Sequence, residues 1–171
     1  MQERNVLKGS FFMQKKSLAN WLKVIIIGMG MIGLLFYGLV VPELGNDLVS
    51  HYPEYSSAYY LWIGFLWLTA VPCYIVLYFV WKISDNIGKD NSFCKENAVC
   101  MKHISTLAAG DSIFFFAGNI IYLVIGFNHP SIVLAALAVV FIGISIAVAA
   151  AVLSHLILKA AEMKEENDLT I

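Results

Sequence analysis

Four long, almost uncharged stretches alternate with short polar segments along the chain. Apolar residues dominate positions 21–41, 60–81, 104–127 and 132–158. Each stretch is about as long as the roughly 20 residues that a helix needs to cross a bilayer. Runs of this length predict membrane-spanning helices rather than strands or the core of a soluble domain. The chain is therefore predicted to be all-α, an integral membrane four-helix bundle in direct contact with lipid.

The segments outside these stretches are polar. Residues 1–20 form a basic N-terminal segment, predicted to be either a flexible tail or a short interfacial helix. Residues 42–58 are expected to form a polar loop between the first two spans. The four-span domain covers residues 21–161, and residues 162–171 form an acidic tail. Pro72 lies near the middle of the second span, where a proline predicts a kink.

The basic residues are distributed asymmetrically about the four spans. Both loops on the opposite side of the predicted membrane contain no Lys or Arg. Cytoplasmic loops carry the excess of Lys and Arg in membrane proteins, so this distribution predicts that both termini are cytoplasmic. The expected location is the cell membrane, with multiple passes. All 11 basic residues lie in three segments: Arg4, Lys8, Lys15, Lys16 and Lys23; Lys82, Lys89, Lys95 and Lys102; and Lys159 and Lys164.

Composition argues against several classes of function. The chain is 60% hydrophobic and 13% charged, with a formal net charge of −1, so bulk charge does not favour direct nucleic-acid binding. No nucleophile elbow, phosphate-binding loop or zinc-protease motif is present, so no enzymatic activity is predicted. The spacing of Cys94 and Cys100 does not match a usual zinc motif, although His103 is nearby, and no metal or cofactor is expected.

The last span carries a stripe of small residues. Gly143, Ala147, Ala151 and His155 recur every four positions and are expected to share one helical face. Small residues at such spacing allow close approach of helices in membranes. The stripe predicts that the last helix is the packing centre of the bundle, with His155 facing inward.

Polar residues inside the third span are the candidates for chemistry. Asp111 is the only acidic residue within a predicted span, and Asn119 lies two turns further on. Asp111 and His155 are predicted to lie in the same leaflet and to form a hydrogen-bonded or ionic pair. Two interpretations are open: a clamp that fixes helix register, or a site for a proton or ligand. Asn119 is expected to form a hydrogen bond across helices.

Several short motifs resemble a known bacterial family. They are the run from Pro72 to Ile83, the stretch Ser92–Asn97, the segment Leu153–Leu156 and the end Glu166–Ile171. Together they resemble the four-span membrane protein family catalogued as domain of unknown function 2975. This resemblance implies no established activity. It does imply a genomic context, because members are often encoded beside a small helix-turn-helix regulator.

The resemblance suggests a non-enzymatic membrane regulator that binds a cytosolic partner such as a small helix-turn-helix transcription factor. The alternative is a small transporter or an immunity or resistance protein that uses Asp111 and His155, and a transport pathway through four spans would require a homo-oligomer. The acidic tail is either part of the partner site or a solvated, frayed terminus. The predicted partner-binding residues are Ser92, Phe93, Glu96, Asn97, Glu166, Asn167, Asp168, Leu169 and Ile171.

Overall fold

The computed structural model describes the backbone of residues 2–169 and the side chains of residues 16–167. The described backbone is almost entirely helical and contains no strand. In chain order the elements are α1 (Gln2–Leu35), a π-helical segment (Phe36–Val40), α2 (Val41–His51), a 3-10 helix (Pro53–Ala58), α3 (Tyr59–Gly88), α4 (Lys95–Val124) and α5 (Pro130–Leu169).

Four helical stretches are long and apolar enough to cross a membrane. They cover Lys16–His51, Pro53–Gly88, Lys95–Val124 and Pro130–Asn167. The prediction of an all-helical protein with four membrane-spanning helices is confirmed. Each of these helical stretches begins before its predicted apolar stretch, and all but α4 also continue past its end, whereas α4 ends at Val124, three residues before the predicted end of the third span.

The first span differs most from its prediction, because residues 42–51 are helical instead of forming a loop. The π-helical segment makes this continuation possible. In it the Val41 amide donates to the Phe36 carbonyl, and Pro42, which has no N–H, follows. In this register the Tyr37 carbonyl would be the acceptor for residue 42 and is left free. The Trp67 indole of α3 donates to it at 3.0 Å, which satisfies the freed carbonyl.

The spans pack in a row, in the order α1, α3, α4 and α5. Among the described elements, α1 contacts neither α4 nor α5, and α3 does not contact α5. Side chains of α3 bond directly to the α1 backbone: the Tyr74 hydroxyl donates to the Gly30 carbonyl at 2.9 Å, and the Ser84 hydroxyl to the Ala19 carbonyl at 2.9 Å. The row leaves broad faces of the helices uncovered by the rest of the chain.

Aromatic rings fill the contact between α3 and α4. Phe65 stacks on Phe115 with ring centroids 5.9 Å apart and packs directly over Gly118, where a Cβ atom would overlap the ring. The Tyr122 hydroxyl donates to the Leu61 carbonyl at 3.1 Å. These contacts fix the register of the two central helices.

Small residues and serines hold α4 against α5. The Ser105 hydroxyl donates to the Ala147 carbonyl at 2.7 Å, and the Ser154 hydroxyl to the Ala98 carbonyl at 2.7 Å. Both bonds join a side chain of one helix to the backbone of the other, which requires the helices to approach closely. Gly143 lies at the same contact, where Ser112 occupies the space that a Cβ atom would need.

The contact face of α5 is not the predicted stripe. Gly143 and Ala147 lie on it, but Ala151 and His155 are exposed, whereas Ala150 is buried and Ser154 bonds to α4. A four-residue step turns about 40° beyond a full circle, so three such steps rotate the stripe by roughly 120°. Alternating steps of four and three stay on one face, as in left-handed helix pairs. The contact face therefore continues through Ala150 and Ser154.

Candidate functional site

The turn between α3 and α4, residues 89–94, carries an exposed apolar side chain. The backbone N–H of Asn91 donates to the backbone carbonyl of Asn86 at 2.9 Å, and Asp90 adopts a left-handed conformation with φ 62°. Asp90 therefore provides the left-handed residue that reverses the chain after α3. Phe93 projects from this turn with 58% of its surface exposed. An exposed aromatic ring on an ordered turn is a typical contact residue for a protein partner.

Asn97 holds this turn in place from below. Its side-chain amide donates to the Ser92 carbonyl at 2.9 Å and to the Asn91 carbonyl at 3.4 Å, and its oxygen accepts from Asn86 Nδ2 at 2.8 Å. Asn97 is only 1% exposed, so it is wrong as a direct partner-binding residue. It connects α3, the turn and α4 and thereby fixes the position of Phe93.

The other predicted contact residues near the turn differ in exposure. Glu96 is exposed, and Ser92 is half-buried with its carbonyl occupied by Asn97. Cys94 is buried beneath the turn, and this burial raises the pKa of its thiol. A thiol with a raised pKa is a poor metal ligand and a poor nucleophile. Among the side chains of residues 16–167, no three His, Cys, Asp or Glu residues converge to hold a metal ion.

The end of α5 lies beside the same turn. Lys95 Nζ and Glu165 Oε2 are 2.7 Å apart, with 53% and 58% of the two side chains exposed. An ion pair this exposed contributes little stability, but it places the acidic end of α5 next to the start of α4. Glu166 and Asn167 are exposed. The side chains of Asp168, Leu169 and Ile171 lie outside the described residues.

Asp111 and His155 are far apart in the structure, and the predicted pair is wrong. Ser112, the residue after Asp111, lies opposite Gly143. His155 is twelve residues further along α5, which corresponds to roughly 18 Å. Helices α4 and α5 are antiparallel, and the hydrogen bonds from Ser105 and Ser154 fix their register. Sequence spacing alone does not give this register and could not predict the distance between Asp111 and His155. His155 is exposed on the outer surface of α5.

A group of polar side chains on the π-helical segment and α3 lies near Asp111. The Tyr37 hydroxyl lies beside Thr69 and Cys73 of α3, and Asp111 is near enough to Tyr37 and Cys73 to affect both electrostatically. These four residues, the Asp111 cluster, come from the π-helical segment, α3 and α4. Sequence reasoning missed Tyr37 as a member of the cluster. The prolines at 42 and 72 are the available signals, since both lie near it and disturb helical hydrogen bonding.

One oxygen of Asp111 has no hydrogen-bond partner. Oδ1 is buried, and none of the described residues donates to it. The neighbouring Thr69 hydroxyl donates instead to the Leu66 carbonyl at 2.7 Å. An ionised carboxylate in an apolar environment is costly unless it is paired or neutralised. None of the described residues therefore pairs with Asp111 Oδ1 in the way that a structural clamp would require.

Asn119 forms its bond to a loop and not to another span. Its oxygen accepts from Asn128 Nδ2 at 3.0 Å, and its amide donates to the Phe115 carbonyl at 2.9 Å. Both asparagines are buried, with 2% and 5% exposure. Asn119 ties the α4–α5 turn to α4 and lies about 12 Å along α4 from Asp111.

Comparison with known proteins gives two matches. The profile of the family described as "Protein of unknown function (DUF2975)" matches residues 43–171. The "Uncharacterized membrane protein YoaS" of Bacillus subtilis strain 168 is 33% identical over 150 residues, which cover 86% of this chain and 92% of that protein. No solved structure matches the chain.

Proposed function

The chain belongs to the DUF2975 family of membrane proteins, and from this premise we propose that it is a non-enzymatic regulator which binds a soluble cytosolic partner. The proposed partner is a small helix-turn-helix transcription factor. The proposed binding surface, the Phe93 surface, comprises the turn at residues 89–94, the exposed Glu96 and the adjoining end of α5. The carrying observation is that Phe93 is exposed on a turn that the buried Asn97 holds in place.

The charge of the Phe93 surface supports this kind of partner. Within residues 89–96 and 162–167 the exposed Glu96, Glu162, Glu165 and Glu166 outnumber the exposed Lys89, Lys95 and Lys164. Proteins that bind DNA carry basic surfaces, and complementary charge favours rapid and specific association. The apolar ring supplies the contact that survives at physiological salt, where exposed charges are screened.

The proposed orientation places the Phe93 surface in the cytoplasm, in line with the basic segments. It is tested by single cysteines in a chain whose own three cysteines are replaced by alanine. We expect a membrane-impermeant maleimide to label Ser57→Cys in intact cells and Asn91→Cys only after lysis. Both positions are exposed and lie at opposite ends of α3. The reverse labelling pattern would contradict the orientation and remove the Phe93 surface from the cytoplasm.

Replacing Phe93 by alanine is expected to reduce the affinity for the soluble partner by about thirtyfold, because an anchoring aromatic residue contributes about 2 kcal/mol to binding. The measurement is affinity purification in mild detergent, followed by identification of the captured protein and titration with that purified protein. Tyr60→Ala is the matched control, since Tyr60 is 83% exposed at the opposite end of α3.

A chain that ends at Ala161 separates the two parts of the Phe93 surface. If the chain that ends at Ala161 also captures less of the partner, the partner contacts the end of α5 in addition to Phe93. Failure of the full chain to retain any small DNA-binding protein would contradict the proposed function.

A second candidate function, a small transporter or an immunity or resistance protein, rests on the unpartnered carboxylate of Asp111. His155 has no part in this second candidate function, since it lies roughly 18 Å along α5 from the level of Asp111. Replacing Asp111 by asparagine distinguishes the two functions. A regulator that acts through the Phe93 surface keeps its partner, whereas a transport or resistance phenotype is lost.

A further inference from the structure

The Asp111 cluster lies deep within the membrane-spanning part of the protein. Asp111 is roughly 24 Å from the start of α4 at Lys95 and roughly 20 Å from its end at Val124. Its buried Oδ1 has no hydrogen-bond partner among the described residues. At this depth the carboxylate needs a proton or a cation to neutralise it.

None of the side chains of residues 16–167 provides a cation at this level. The nearest basic or imidazole side chains on the four helices are His103 on α4, Lys82 on α3, His155 on α5 and Lys23 on α1. They lie roughly 12 to 21 Å along their helices from the level of Asp111. The His103 ring is also stacked on Phe79, with ring centroids 5.0 Å apart. A second copy carries its Lys and Arg in the same segments and cannot supply a cation either.

The surroundings of Asp111 suit an organic cation. Phe114 and Phe115 follow it by one helical turn, and both rings pack on Phe65, with centroids 5.3 and 5.9 Å away. A carboxylate beside aromatic rings is a typical binding site for an alkylammonium group. The hydroxyl of Tyr37 adds a polar group beside Thr69 and Cys73 of α3. A hard metal ion is disfavoured because it requires several oxygen ligands, and the cluster offers one carboxylate.

The Asp111 cluster is also accessible from the side. Cys73 is exposed although it lies in the middle of α3. Asp111 and Tyr37 are half-buried. The two helices on either side of α3 do not contact each other, so no described helix covers this face of the row. Oδ1 is buried but the Asp111 side chain as a whole is only half-buried, so a ligand that partitions into the bilayer can approach the exposed part of this side chain without crossing the protein.

We infer that the Asp111 cluster binds a lipophilic organic cation, of the class of protonated hydrophobic amines, which enters from the bilayer. Ion pairing with Asp111 and contact with the Phe114 and Phe115 rings hold the cation. This site is separate from the Phe93 surface and requires neither a soluble partner nor transport.

The test is equilibrium binding of tetraphenylphosphonium to the purified full chain in detergent or nanodiscs. This probe is lipophilic and permanently charged, so it cannot lose its charge by transferring a proton to Asp111. We expect saturable binding with one site per chain, weakened about tenfold or more by Asp111→Asn and retained by Asp111→Glu. Tetraphenylborate has the same shape and the opposite charge, and we expect it to show no saturable binding.

Circular dichroism and size-exclusion chromatography check that each variant is folded. Equal binding by the folded Asp111→Asn protein would overturn the inference, because the carboxylate would then have no role. Absence of saturable binding to the folded wild-type protein would also overturn it and would leave a proton as the only counterion of Asp111. Lowering the pH should weaken binding by the wild-type protein, since protonation removes the charge that attracts the cation.

Discussion

Replacing Gly143 by leucine is expected to separate α5 from α4 and to cost about 3 kcal/mol of stability, at the upper end of overpacking effects. Any Cβ at this position overlaps the Ser112 hydroxyl oxygen and lies 3.4 Å from the Ser112 Cβ. The backbones cannot move apart without breaking the two serine-to-carbonyl bonds, which have donor–acceptor distances of 2.7 Å. A larger side chain therefore removes several contacts at once.

Unfolding by sodium dodecyl sulfate, followed by circular dichroism, measures this loss. Gly110→Leu is the matched control, because Gly110 lies near the same depth on α4, is exposed, and has no atom within 4 Å of the place that a Cβ would take. Alanine at the two positions should give opposite results. Gly110→Ala should be neutral or stabilising, since alanine favours helix by about 1 kcal/mol over glycine. Gly143→Ala should destabilise. Equal effects at both positions would contradict the observed α4–α5 contact.

Replacing Asn97 by alanine is expected to destabilise the α3–α4 connection by about 3 kcal/mol. The substitution leaves the Ser92 and Asn91 carbonyls and the Asn86 amide without their partner. Each buried polar group left unsatisfied costs about 1 to 3 kcal/mol, and solvent can reach part of this turn. Because Asn97 also fixes the turn that carries Phe93, the same variant should weaken partner capture without removing any contact atom of the partner.

Asn91→Ala is the control for Asn97. Asn91 is exposed, and its backbone groups, which alanine retains, form its bonds to Asn86 and Asn97. Detergent unfolding and hydrogen exchange of the amides at residues 89–94 would report the two variants side by side. Faster exchange confined to Asn97→Ala is the expected result. An Asn97→Ala protein as stable and as protected as Asn91→Ala would show that the buried amide network does not hold the turn.

The sequence correctly predicts four helices long and apolar enough to cross a membrane, and it predicts the contacts between them less well. Uncharged runs of sufficient length determine that four helices enter the bilayer, since no other backbone arrangement of such segments satisfies its own hydrogen bonds there. The extension of the first helix to His51 was missed because Pro42 normally ends a helix. A π-helical turn and the Trp67 indole compensate for the missing N–H, and neither is visible in a local sequence pattern.

The candidate sites show the same division. Phe93 and Glu96 were identified from the motif around them, and both are exposed. Asn97 belongs to the same motif but is buried, because its neighbours in space come from both sides of the turn. Asp111 was identified from its position in an apolar run, whereas its true neighbours are on α3 and on the π-helical segment.

The sequence by itself determined the number and type of the spans, the segregation of all 11 basic residues and the presence of a carboxylate inside the third span. These properties depend on local hydrophobicity and charge, which each segment carries independently of the others. Tertiary structure alone decided which face of α5 meets α4, that His155 lies on the outside and that Asp111 Oδ1 has no partner among the described residues. Those outcomes depend on helix register and rotation, which are set by close packing between helices. A four-residue repeat does not predict them, because it drifts around the helix.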